Sequence, residues 1–147
     1  MVEIYIVKND GVLLYYNSSD KNKKQRVENA ALFSGIISAI KSFLKELEIG
    51  DVQTFSTDEN TIFIQTRSDL AYVFVINKKS NVDEKTVFNF LDEYSKEVCE
   101  IIDEKNTESW NDRTFNDIDE ITDRFLNKLD SLIKESKITK NLMDVLW

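Results

Sequence analysis

Seven consecutive residues, Leu70 to Ile76 (LAYVFVI), put apolar side chains on both faces of any extended segment they form. The run is short and rich in β-branched and aromatic residues, so it reads as a strand. A strand with two apolar faces has to be covered on both. That places it at the centre of a sheet. The first residues impose a related demand. Val2, Ile4 and Ile6 alternate with Glu3, Tyr5 and Val7, a strand with most of both faces buried.

The remaining elements follow from local signals. Asn9-Asp10-Gly11 is a hairpin signal, because Asn and Gly tolerate positive φ. Val12 to Tyr16 is the returning strand, and the polar stretch 17–25 (NSSDKNKKQ) is a loop. Residues 26–48 read as a long helix whose stripe is Phe33, Ile36, Ile37, Ile40, Phe43, Leu44 and Leu47, stopped by Gly50. Three strands come next: Val52–Phe55, Thr61–Thr66 and the central run. The connections Asp58-Glu59-Asn60 and Arg67-Ser68-Asp69 between them suit antiparallel hairpins. Asp83 or Asn81 caps a helix with the stripe Val87, Phe90, Leu91, Tyr94, Val98, Ile101 and Ile102. After a polar break at 105–116 around Trp110, a further helix carries Ile118, Ile121, Phe125, Leu129, Leu132 and Ile133. Ile138–Trp147 reads as a short amphipathic helix. The order is β-β-α-β-β-β-α-α, an α/β (α+β) chain with no internal repeat.

At 147 residues with 41% apolar side chains, the chain can build one core without covalent staples. Its single cysteine, Cys99, fits a reducing compartment, and no run approaches a membrane span, so the expected location is cytoplasmic. The net charge of −8 comes from residues 92–120, which hold eleven acids and three bases; the rest is neutral. Nucleic-acid binding requires a basic footprint, and the only basic cluster is Lys21, Lys23 and Lys24, which reads as a solvated turn.

The segments KNDGVLLY and LFSGIISAIKSFLKE carry Gly11, Phe33, Ser34, Gly35, Ala39 and Phe43. Together with the element order, they resemble the longin-domain family, in particular archaeal longin-like proteins, some of Asgard-type lineages. The related roadblock fold usually opens on a helix instead. The resemblance covers residues 1 to about 136, leaving 137–147 as a short amphipathic extension. It implies a longin-like five-stranded antiparallel sheet in the order 2-1-5-4-3, with one helix on one face and the C-terminal helices on the other. It also implies an adaptor or regulatory subunit that forms a homodimer or heterodimer and binds protein partners, among them small GTPases and vesicle-trafficking complexes.

The residues offer little to catalysis. No histidine is present, which removes the commonest general base, the commonest metal ligand and every Ser-His or Cys-His pair. There is no phosphate-binding glycine loop, no metal-spaced cysteine cluster and no cofactor motif. Asp92-Glu93 and Asp119-Glu120 are adjacent on helices, so each pair diverges rather than forming a dyad. The oxygens of 103–119 lack the spacing of a calcium loop. Cys99 reads as a small hydrophobe, and Arg67 as a turn arginine rather than a finger acting on a GTPase. An enzyme is the reading the residues support least.

What remains are surfaces. Gly35, Ser38, Ala39 and Ser42 form a line of small residues on the first helix, suited either to packing within the chain or to a second backbone. The returning strand, with Leu13, Tyr15 and Tyr16, is a sheet edge in the longin order and has no proline or charge to block pairing. Trp147 needs either its own domain or a partner to bury it. The expected function is a non-catalytic protein-interaction module. The alternatives are a roadblock- or profilin-like scaffold with no GTPase link and a small-ligand sensor, which would require a lined cavity between sheet and helix.

Overall fold

The computed structural model describes residues 2–20, 26–102 and 105–146. Its elements are β1 (Val2–Lys8), β2 (Leu13–Ser18), α1 (Arg26–Glu46), β3 (Thr54–Ser56), β4 (Asn60–Arg67), β5 (Leu70–Asn77), α2 (Glu84–Ile101) and α3 (Asp112–Leu146). Short 3-10 turns at Lys78–Ser80 and Thr107–Ser109 precede α2 and α3.

The strands form one antiparallel sheet in the order β2-β1-β5-β4-β3. β5 is its axis. It pairs along its whole length with β1 (Val2↔Ile76 to Lys8↔Leu70) and with β4 (Asn60↔Asn77 to Arg67↔Leu70). Every residue from Leu70 to Ile76 is buried, as the two apolar faces require. The alternation divides the interior into two cores. Leu70, Tyr72, Phe74 and Ile76 join Val2, Ile4 and Ile6 under α2 and α3. Ala71, Val73 and Val75 join Tyr5, Val7, Ile62 and Ile64 under α1.

The α2–α3 side is the larger and more aromatic core. Tyr94 stands edge-on to Tyr72 and Phe125 at 6.1 and 5.4 Å and tilts over Phe74 at 5.6 Å. Its hydroxyl shares a 2.8 Å hydrogen bond with that of Thr122. Beside it, the Tyr15 hydroxyl donates to Asp119 and so ties the edge strand β2 to α3. Burial first, and the Asp119 contact second, push the Tyr15 phenol well above its ordinary value. Asp83 caps α2 by accepting from the Thr86 amide at 3.3 Å.

Several boundaries differ from expectation: β3 is Thr54–Ser56 and not Val52–Phe55, and α1 ends at Glu46, two residues before the expected end at 48. β2 extends to Ser18, because Asn17 and Ser18 pair with Ile4 and Glu3 across the hairpin. The two helical segments expected around Ile118–Ile133 and Ile138–Trp147 belong, as far as Leu146, to one continuous α3. Residues 134–141 hold no glycine or proline that would break the helix between them. Lys21, Lys23, Lys24 and Trp147 lie outside the described residues.

Phe74 is fully buried between β1 and β4 and packs on Tyr94. Phe74→Ala is expected to cost about 3–5 kcal/mol, and Ile76→Val only about 0.5–1.5 kcal/mol. Urea denaturation of the two variants checks both, and near-equal costs would show that β5 is not the centre of the core.

Candidate partner-binding surface

The face that α1 presents to solvent is decided by how closely the helix approaches the β1–β2 turn. Gly11 sits at φ +90° in that turn, a conformation costly for residues with a Cβ. A Cβ built there would stand 3.3 Å from both Gly35 Cα and Ser38 Cβ. The Ser34 hydroxyl donates to the Gly11 carbonyl at 2.8 Å, and the Ser38 hydroxyl donates to the Asn9 carbonyl at 2.6 Å. Ser34 is fully buried, and Ala30 and Ile37 share that inward side. Phe33 lies along it, with its ring 4.7 Å from that of Tyr5. Gly11, Ser34 and Gly35 of the motif thus form one helix-on-turn contact, and Phe33 packs beside it on Tyr5.

This contact rotates the helix away from the expected orientation. Of the stripe expected to face the core, only Ile37 is fully buried, with Phe33, Ile40 and Leu44 half-buried. Ile36, Phe43 and Leu47 point outward with Leu32, and these four are between 48% and 68% exposed. Small polar side chains occupy the inward positions because only they allow the turn this near. The apolar residues displaced from those positions stand in water. Four apolar side chains spread along one helix face make a patch of the kind that marks interaction sites. A signal for it exists in the sequence: residues 29–40 contain no charge on any side.

The other singled-out residues fall around this face. Gly35, Ala39 and Ser42 are exposed beside it, whereas Ser38 is half-buried and engaged with Asn9. Leu13 is half-buried and packs on the α1 side of the sheet. The Tyr15 ring is buried in the opposite core. Tyr16 tilts against Tyr5 at 4.9 Å, and its hydroxyl donates to Glu3 at 3.3 Å. At the β2 edge, outward-facing main chain is therefore more available than these side chains. The register shift opposite Ile6 and Val7 bulges the strand at Leu14, a feature that blunts edge pairing.

The residues weighed for chemistry have structural partners. The Arg67 guanidinium donates to Asp92 at 3.0 Å and to Ser95 at 3.1 Å, fastening the β4–β5 turn to α2. Asp92 also meets Lys96 at 2.9 Å. Hydrogen bonds from Gln65 and Lys96, aided by the nearby Lys96 and Arg67 charges, hold its carboxyl below the usual range. Cys99 is half-buried, with its Sγ 3.2 Å from the Tyr72 hydroxyl. A groove of about 590 Å³ opens at the C-terminal end of α1, lined by Ser38, Lys41, Ser42, Lys45, Asp51 and Asp69 among others. Its two bases and two acids give it no net charge. Lys41 contacts Thr66 and lies 3.6 Å from Asp51. Burial lowers its pKa from the ordinary 10.5, against the pull of Asp51. No described helix is long and apolar enough to cross a membrane.

The sheet order β2-β1-β5-β4-β3, with α1 on one face and α2 and α3 on the other, decides the architecture. The fold is longin-like. No family model matches the chain, and no curated protein matches it. Among solved structures, it is similar to a Roadblock/LC7 domain from Streptomyces avermitilis at 16% identity and TM-score 0.42, over 52% of this chain and 66% of that one. It is also similar to Myxococcus xanthus MglB at 10% identity and TM-score 0.40, over 88% and 84%. The longin-like assignment rests on the sheet order itself.

Two predictions follow from this face. Gly11→Ala is expected to destabilise by about 1–3 kcal/mol through its positive φ and the close Gly35 backbone. Gly35→Ala meets nothing within 4 Å and is expected to gain about 0.8–1 kcal/mol of helix propensity. Chemical denaturation measures both, and a destabilised Gly35→Ala would place that position against the sheet. The native state gives up the Lys41 proton before the unfolded chain does, so stability should rise as pH climbs from the depressed native value toward 10.5. Lys41→Met should remove that alkaline gain; an unchanged pH slope would show that Lys41 is solvated.

Proposed function

We propose that this protein is a non-catalytic interaction module, a longin-like adaptor or regulatory subunit. It works as a dimer through the outer face of α1 and receives a small GTPase or a trafficking-type complex as its further partner. The observation that carries the reading is the exposed stripe Leu32, Ile36, Phe43 and Leu47 with Gly35, Ala39 and Ser42 beside it. Large apolar side chains supply the area, and the small ones let a second backbone come close. The neighbouring main chain of β2, at Leu13, Tyr15 and Tyr16, extends the surface toward the sheet edge, and Trp147 is a further anchor. The GTPase partner rests on the longin resemblance. Residues 1–136 form the recognition domain in this reading, and 137–147 are an extension of it.

Ile36→Glu combined with Phe43→Glu tests the surface. Both side chains are largely outside the core, so the unfolding free energy should change by no more than about 0.5 kcal/mol each. Association should weaken by about a hundredfold or more through the lost apolar burial. Light scattering reads the mass, and circular dichroism controls for folding. A folded double variant of unchanged mass would place the interface elsewhere. Capture of small GTPases loaded with a GTP analogue or GDP tests the partner. Nucleotide-dependent capture supports it, and no capture in either state leaves a roadblock- or profilin-like scaffold without a GTPase link.

A further inference from the structure

The end of α3 carries apolar side chains that its own domain leaves uncovered. Ile118, Thr122, Phe125, Leu129 and Ile133 face the sheet and are buried. At roughly 100° per residue, Leu142 stands about half a turn away from Ile133, on the opposite side of the helix. Val145 and Leu146 flank it, and all three are between 60% and 86% exposed. Met143, on the inward side, is 55% exposed as well, so the end of α3 runs past its own domain and leaves apolar side chains uncovered some 20 Å beyond Ile133.

Among the described residues, the outer face of α1 is a surface of matching kind. The outer stripe of α1 runs from Leu32 to Phe43, about 16 Å of helix, with Leu47 just past the helix end, and is equally uncovered. Within one chain the two cannot meet, because α1 and α3 lie on opposite faces of the sheet and both stripes turn away from it. Between two chains they can. We infer that the last turns of α3 of one copy pack on the outer face of α1 of a second copy, and that the exchange is reciprocal.

Area supports the reciprocal form. A large aliphatic side chain carries about 100 Å² of apolar area. One contact between Leu142, Val145, Leu146 and the four large residues of α1 therefore buries roughly 700 Å², below what a specific interface needs. Two symmetric contacts reach about 1,400 Å², within the standard range of roughly 1,200–2,000 Å². Ala39, between Ile36 and Phe43, lets the incoming helix approach closely.

This inference rests on the proposed use of the α1 face, and the test separates the two. In a full-length Cys99→Ser background, a tagged Ala39→Cys chain is mixed with an untagged Leu142→Cys chain under mild oxidation. Alongside, Leu142→Lys with Leu146→Lys is sized by light scattering. Those side chains lie outside the core, so folding is not at risk. The expected results are a dominant mixed disulfide and a dimer weakened about a hundredfold by the lysine pair. A homodisulfide at Ala39, with unchanged mass of the lysine variant, overturns the exchange and leaves the α1 face as a direct α1–α1 contact. A wild-type chain that stays monomeric and forms neither disulfide overturns dimerisation through that face as well.

Discussion

Everything in this fold is arranged around a strand with no exposed face. β5 is hydrogen-bonded on both edges and covered on both sides, so the chain must supply two neighbouring strands and two layers of helix. β1, from the start of the sequence, and β4, the hairpin strand just before β5, meet the first demand. The second divides the interior by residue parity, with even-numbered β5 side chains under α2 and α3 and odd-numbered ones under α1. A one-residue slip would exchange the two sets. The core around Tyr94 and the smaller core under α1 would then both be filled with the wrong shapes.

The smaller layer is where fold and function meet. A single helix covers that face, and it lies so close to the β1–β2 turn that glycine and serine occupy the contact. The hydroxyls of Ser34 and Ser38 satisfy carbonyls of the turn that the helix would otherwise cover without a partner. The orientation that makes those bonds turns Leu32, Ile36, Phe43 and Leu47 outward. The exposed stripe and the buried serines are two consequences of one docking geometry. A chain selected for solubility alone would carry lysine or glutamate at those outward positions.

Much of the fold was legible in the sequence because its signals are strong and local. The two-sided apolar run at 70–76 specified the central strand, Asn9-Asp10-Gly11 the hairpin, and Asp83 or Asn81 the start of α2, where the structure has Asp83 as the cap. The strand order came from the resemblance, and the structure has that order. The orientation of α1 was not legible in the same way. Its apolar residues occupy more than one face, so periodicity allowed several inward sides, and the choice depended on a tertiary contact with Gly11. The small residues are plain in the sequence, but their division is not: Ser38 is spent on the turn, while Gly35, Ala39 and Ser42 stay outside. The sequence places Tyr15 on the edge strand, and its ring enters the far core to reach Asp119. Only the three-dimensional pairing of β2 with α3 could show that.

The central claim is that another protein molecule covers the outer face of α1. Hydroxyl-radical footprinting of the unmodified full-length chain across a dilution series measures that cover residue by residue. Val12, exposed at the hairpin, serves as the internal reference. The account predicts that Leu32, Ile36 and Phe43 are oxidised readily in dilute solution and become protected as concentration rises, while Val12 reacts at a constant rate. Oxidation of Phe43 at the same rate across the whole series would contradict it.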